Sequence, residues 1–238
     1  MCGRFALTLP HEAMVQMFGA VLANDLPELP NYNICPTNQI CAVTSDAGLR
    51  HVTSMRWGFI PHWYAKPNGG PLLINARGET IAEKPAFKAA IRARRCLIPA
   101  TGFYEWTKDA QDARLPWYIR RTDGAPIVFA GVWQRWEREG EALTACAIVT
   151  TGAGQGMSAI HHREPVTLSE GDYAKWLGED GKGAALLMGP APEDQLEFFR
   201  VDARVNSNRA SGPELIEPLP ESLSEPPIAS PDDATKAG

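Results

Sequence analysis

Apolar residues recur along this chain with two periods, and each period predicts a set of elements. Met14, Met17, Phe18 and Val21 follow helical spacing behind Thr8 and Pro10, which predicts a helix over 9–22. A second helix is predicted to open at Thr80, where Thr80-x-x-Glu83 has the capping-box form and Phe87, Ala90 and Ile91 supply an apolar face. Pro85 falls early in that helix, where a missing N–H costs least. Ser169, with Asp172 three residues on, starts a third helix, and a fourth is predicted over about 192–200. Between them, 40–44, 52–60, 96–99, 103–106, 116–121, 126–133 and 142–150 are rich in Val, Ile, Thr and aromatic residues and read as strands. Asp123-Gly124, between two of these, is a hairpin signal. Several strands follow one another without an intervening helix, so the sheets should be antiparallel and the class α+β.

Composition sets the boundaries of this picture. A chain of 238 residues with 44% hydrophobic content can bury one substantial core. Residues 219–238 are acidic and rich in proline, which predicts a disordered tail after a single domain over 2–218. No stretch approaches the roughly 20 apolar residues of a membrane span. Arg4, His11 and Glu12 interrupt any leader-like run, so a soluble, cytoplasmic protein is expected, and nothing demands more than a monomer. The five cysteines (Cys2, Cys35, Cys41, Cys96, Cys146) form no C-x-x-C pair and lack the histidine spacing of a zinc site. Free thiols are expected, with neither metal nor cofactor.

Charge changes the picture more. The net charge is −5, but Glu214, Glu217, Glu221, Glu225, Asp232 and Asp233 face only Lys236 beyond residue 212, so the preceding body is neutral. Within that body, 77–95 holds Arg77, Lys84, Lys88, Arg92, Arg94 and Arg95 against Glu79 and Glu83. Such a row is either a solvated helix face or the footprint of a nucleic-acid backbone.

Position two is chemically distinctive. Once Met1 is removed, Cys2 presents an α-amine with a pKa of about 7.7 and a thiol of about 8.5 on one residue. An aldehyde condenses with the amine, and the thiol then closes on the imine carbon to give a thiazolidine. Other polar residues sit in apolar or glycine-rich settings. Asn75 follows an apolar run in Ile74-Asn75-Ala76-Arg77. Glu105 lies inside the aromatic run Phe103-Tyr104-Glu105-Trp106. It is either an outward-facing residue of an alternating strand or a desolvated carboxyl with a raised pKa, suited to passing protons. His161 and His162 close the glycine-rich segment Thr151–Gly156.

Seven motifs in order resemble the SOS response-associated peptidase (SRAP) family. They are Met1-Cys2-Gly3-Arg4-Phe5, Tyr32–Thr37, Arg56-Trp57-Gly58-Phe59-Ile60-Pro61, Asn75–Thr80, Gly102–Trp106, Ile160-His161-His162-Arg163 and Val205-Asn206. The resemblance implies curved, mostly antiparallel sheets forming a barrel-like core with peripheral helices. It implies a protein that recognises abasic sites in single-stranded DNA and shields them by a thiazolidine cross-link through Cys2, after self-removal of Met1. Asn75 would position the reacting amine or sugar. Glu105 and His161 would shuttle protons, and Glu105 would also assist Met1 removal and lyase-type reversal of the cross-link.

For the DNA, the resemblance implies phosphate contacts from Arg4, Arg77 and Arg163 and base stacking on Trp106, with Trp57 a second stacking candidate. Pro36 and Thr150 would line the site. Two positions depart from the family pattern. His162 stands where the motif carries an acid, and Glu164 stands where it carries Met or Arg, beside Arg163. The competing functions are a cysteine peptidase acting on other proteins and a single-strand binder with an unreactive Cys2.

Overall fold

The computed structural model describes residues 2–23 and 25–220. The expected tail over 219–238 lies outside the described residues from 221 onward. The strands are β1 (Phe5–Leu7), β2 (Ala20–Leu22), β3 (Asn31–Ile34), β4 (Gln39–Asp46), β5 (Leu49–Trp57), β6 (Asn75–Arg77), β7 (Arg95–Ala100), β8 (Gly102–Lys108), β9 (Arg114–Arg121), β10 (Ile127–Arg138), β11 (Glu141–Gly152), β12 (Arg163–Pro165) and β13 (Leu196–Arg200). The α-helices are α1 (His11–Phe18), α2 (Ala90–Ala93), α3 (Gln155–Ser158) and α4 (Tyr173–Leu177).

Strands β11, β10, β7, β4 and β5 pair in that order, and a parallel pairing of β5 with β11 closes them into a five-stranded barrel. Arg56 stands opposite Ala145 and Trp57 opposite Cys146 at the closure. Gly58 then takes a φ of 141°, a value that favours glycine, and a Cβ there would strike the Arg56 guanidinium and Leu72. The chain leaves β11 at this point, and β6 takes up the vacated edge with Asn75 opposite Ile148. A second, wholly antiparallel sheet runs β13-β9-β8-β1-β3. The α+β class and the barrel-like core agree with expectation.

The two layers meet through aromatic rings. Phe5 of β1 packs edge-on against Trp57 at 5.1 Å and Phe129 at 6.0 Å, and Phe103 of β8 meets Phe129 at 5.8 Å. All four rings are buried, each worth about 1.5–3 kcal/mol by the usual scale for side chains of this size. The same contacts fix Cys2, Gly3 and Arg4 at the seam between the layers, just before Phe5.

Several elements differ from expectation. The first helix ends at Phe18 because Gly19 adopts the left-handed conformation, and 20–22 become a strand parallel to β5. The capping box at Thr80 does not open a regular helix. Successive turns follow instead, in which the Thr80 carbonyl accepts from both Glu83 and Lys84, and α-helix is reached only at Ala90. The helix expected from Ser169 is a 3-10 turn leading into α4. The fourth expected helix is β13, because pairing with β9 outweighs the local helical preference of Glu193–Phe199. Asp123-Gly124 makes a tight turn but no hairpin, since β9 and β10 lie in different sheets. No helix among the described residues is long and apolar enough to cross a membrane. All five cysteines are free thiols, and four of them are buried.

Candidate functional site

The period of β8 decides where Glu105 goes. Alternate residues share a face, so Phe103 and Glu105 point one way and Tyr104 and Trp106 the other. Phe103 faces Phe129 of the barrel, which carries Glu105 inward as well, where it is 3% exposed. Of the two orientations open for Glu105, the inward one is therefore realised. Burial raises its pKa, an effect partly offset by nearby positive charge including His162.

Cys2 is fully buried close to Glu105. Its thiol points to the Arg4 carbonyl at 4.0 Å, and its own carbonyl accepts a 2.8 Å hydrogen bond from Nδ2 of Asn75. Burial, and secondarily the Glu105 charge, pushes the thiol pKa far above its ordinary range. The other side-chain atom of Asn75, Oδ1, is buried with no hydrogen-bond partner among the described residues. An acceptor is thus held ready beside the backbone of Cys2.

His161 follows α3, tied to it by a hydrogen bond from its amide to the Met157 carbonyl. The Arg163 amide donates to Nδ1 at 2.9 Å, which places the proton of the neutral ring on Nε2. The Arg163 carbonyl, 3.1 Å from the same nitrogen, would favour the charged ring instead. Burial wins and lowers the pKa of His161. His162 stacks on it at 4.3 Å but is exposed, and the charge of His161 is the main cause of its own lowered pKa. His161, not His162, lines a cleft of about 330 Å³ together with Gly3, Arg4, Glu105, Trp106 and Arg114.

Trp106 is half-buried at the rim of this cleft. Its Nε1 donates to Asn206 at 2.6 Å, and the guanidiniums of Arg114 and Arg4 lie 4.5 and 5.8 Å from its ring centre. Arg4 also donates to Asn33 and to the Val205 carbonyl, which brings the motif around residues 205–206 into the site. Pro36 is half-buried in the turn joining β3 to β4.

Three expected DNA contacts have other engagements. Trp57 is fully buried, with Nε1 bonded to the Ile74 carbonyl, so its ring has no face open to a base. Arg163, whose side chain is 11% exposed, makes a two-pronged ion pair with Glu79 and also donates to Thr150. Thr150 is buried and acts here as a brace for that guanidinium. Glu164 does not disturb Arg163. Its buried carboxylate accepts from the amides of Gly154 and Ala191, anchoring the loop that carries α3 and His161.

A second cleft, of about 490 Å³, opens on the other side of Asn75 and is lined by Trp63, Arg77, Thr80, Lys84 and Phe87 among others. Trp63 is 45% exposed beside Arg77. Sequence reasoning missed it, although the signal was present: the matched motif at Arg56–Pro61 stops two residues short of it. Among the described residues, no cluster of His, Cys, Asp and Glu has the arrangement to hold a metal ion.

The chain is 35% identical over 224 residues to the abasic site processing protein YoqW of Bacillus subtilis, covering 91% of this chain and 99% of that one. It is 32% identical over 227 residues to the abasic site processing protein YedK of Escherichia coli, covering 92% and 100%. Among solved structures, a protein from Bacteroides thetaiotaomicron shares the fold with a TM-score of 0.80 at 24% identity, over 92% of this chain and all of that one. A phage-related protein from Bordetella bronchiseptica matches with a TM-score of 0.66 at 29% identity, over 84% and 94%. A sequence model of the SOS response associated peptidase (SRAP) family matches residues 1–208, and the chain belongs to that family.

Proposed function

We propose that this protein captures abasic sites in single-stranded DNA by forming a thiazolidine between Cys2 and the ring-opened sugar, after hydrolytic removal of Met1. The observation that carries the reading is the convergence of Cys2, Asn75, Glu105 and His161 at one seam. Three of these groups, Cys2, Glu105 and His161, are shifted by burial toward their neutral forms. The relatives' role in abasic site processing points the same way.

The chemistry follows from those protonation states. Cys2 is held as a thiol, so the amine is the better first nucleophile. It condenses with the aldehyde carbon to form an imine and releases one water. The sulfur then adds to the imine carbon while the thiol proton passes to the nitrogen, closing the ring with no net redox change. Glu105, with its raised pKa, gives a proton to the sugar's ring oxygen on opening and accepts one during imine formation. Neutral His161 offers Nε2–H toward the leaving oxygen. Asn75 holds the Cys2 carbonyl and presents Oδ1 to the amine. The same Glu105 assists hydrolysis of the Met1–Cys2 bond and, run backwards, release of the DNA.

Arg4 and Arg77 contact phosphates in this reading, while Trp106 and Trp63 offer ring surface to bases flanking the lesion. A peptidase acting on other proteins would need an available thiolate, and the burial of Cys2 opposes one. Intact-mass measurement after mixing with an abasic oligonucleotide tests the proposal. The expected product is protein without Met1, joined to DNA with loss of one water, and absent in Cys2→Ala. Peptide turnover with no adduct would overturn it.

A further inference from the structure

We infer that Lys84, Lys88 and Arg92 form a track for the phosphates of single-stranded DNA, leading the strand out of the cleft lined by Trp63 and Arg77. The inference rests on the reading of this chain as a DNA-binding protein and adds a surface to it.

The backbone from Thr80 to Arg94 winds in helical turns, with Lys84 N–H bonded to Thr80 O, Lys88 to Lys84, Ile91 to Phe87 and Arg94 to Ala90. Residues four apart therefore share a face. Phe87 and Ala90 are buried against the core, while Lys84, Lys88 and Arg92 are all exposed.

The row begins inside the second cleft, because Lys84 lines it with Arg77 and Asn75. It is thus continuous with the site where Asn75 meets Cys2. Nearby acids do little to neutralise it. Glu79 is committed to Arg163, and the described residues show no ion pair for Lys84, Lys88 or Arg92, although Glu83 is exposed beside them. The other two basic residues of the stretch are structural. Arg95 donates to the carbonyls of Trp176, Ile91 and Arg92, and Arg94 to Trp133 and Gln134. The fold therefore sorts six cations of one run into two that tie down the chain and four that line one open path. That sorting separates a phosphate track from a merely solvated helix face.

Equilibrium binding tests the track, using the full chain and oligonucleotides carrying a tetrahydrofuran abasic analogue, which has no aldehyde to react. One oligonucleotide is long with the analogue central, and one extends only a nucleotide or two on each side. The Lys84→Ala/Lys88→Ala/Arg92→Ala variant should bind the long strand about tenfold more weakly at low salt. Its log-log salt slope should be shallower by about 2, near 0.7 for each lost contact on a single strand. Its affinity for the short strand should change by less than about twofold. A control variant, Arg120→Ala/Lys182→Ala/Arg204→Ala, removes the same charge elsewhere and should leave the slope unchanged. An unaltered slope on the long strand, equal losses on both strands, or the same loss in the control would each overturn the inference. Cross-linking of a short strand with a true abasic site is read separately. If the unmutated protein forms no adduct while the slope still responds to the triple substitution, the covalent reading fails and the track stands.

Discussion

Two glutamates are buried almost equally, Glu105 at 3% exposure and Glu164 at 2%, and their surroundings are opposite. Glu164 accepts from two backbone amides, those of Gly154 and Ala191, at 2.8 and 2.6 Å, and holds a loop in place. Glu105 sits in the middle of the aromatic strand β8, where burial drives its carboxyl toward the protonated form. A carboxylate surrounded by amides is a structural fastener. A carboxyl left poorly solvated beside Cys2 is, in the function proposed above, a proton carrier, kept at a cost to stability. The difference shows that burial alone does not identify chemistry; the partners do.

The sharpest way to break this contrast is to neutralise the proton carrier. Glu105→Gln should slow cross-linking by about 10²–10⁴-fold in single-turnover assays, the usual range for a lost acid-base group. An unchanged rate would remove Glu105 from the mechanism. Substituting the fastener should act on stability instead. Glu164→Ala leaves two amides without their charged acceptor and should cost about 2–4 kcal/mol of unfolding free energy, read by denaturant titration. A neutral result there would mean that other groups hold the loop.

A subtler outcome distinguishes the two by pH. The folded-state pKa of Glu105 lies above the ordinary value of 4.5, so between the two values the folded protein binds more protons than the unfolded chain. Its contribution to stability therefore falls as pH rises through that window. Glu105→Gln removes this penalty and should melt higher than the unmutated protein at pH above the window, read by thermal unfolding across pH. The gain should vanish below the window, and a gain independent of pH would point to packing rather than charge. The smallest effect concerns a third, half-exposed carboxylate, Glu79. Glu79→Gln frees Arg163 for phosphate and should raise affinity for single-stranded DNA by no more than about fivefold, in keeping with the modest strength of exposed ion pairs.

The long strands β4, β5, β7, β8, β9, β10 and β11 are legible in the sequence because each keeps a β-rich run long enough to stand out. Strands β1, β2, β3, β6 and β12 are three or four residues long and exist because a neighbour pairs with them, so no local pattern announces them. The same dependence on partners turned the expected helix near 192–200 into β13. Cys2, Asn75, Glu105 and His161, which the fold brings to one seam, were each marked out by motifs, and the orientation of Glu105 follows from its parity with Phe103. Parity could not show that Trp57 faces the barrel core or that Arg163 is captured by Glu79, eighty-four residues earlier. Both are facts of long-range assembly.

That long-range assembly also sets a clock. β1 finds its partners in β3 and in β8, where Phe5 stands opposite Phe103. A ribosome adds about 5–20 residues per second, so roughly 5–20 s separate the making of β1 from the making of β8. For that interval Cys2 stands without the carboxyl of Glu105 beside it. Any chemistry at Cys2 that depends on Glu105, the proposed hydrolysis of the Met1–Cys2 bond included, therefore starts only once β8 has been made and paired with β1.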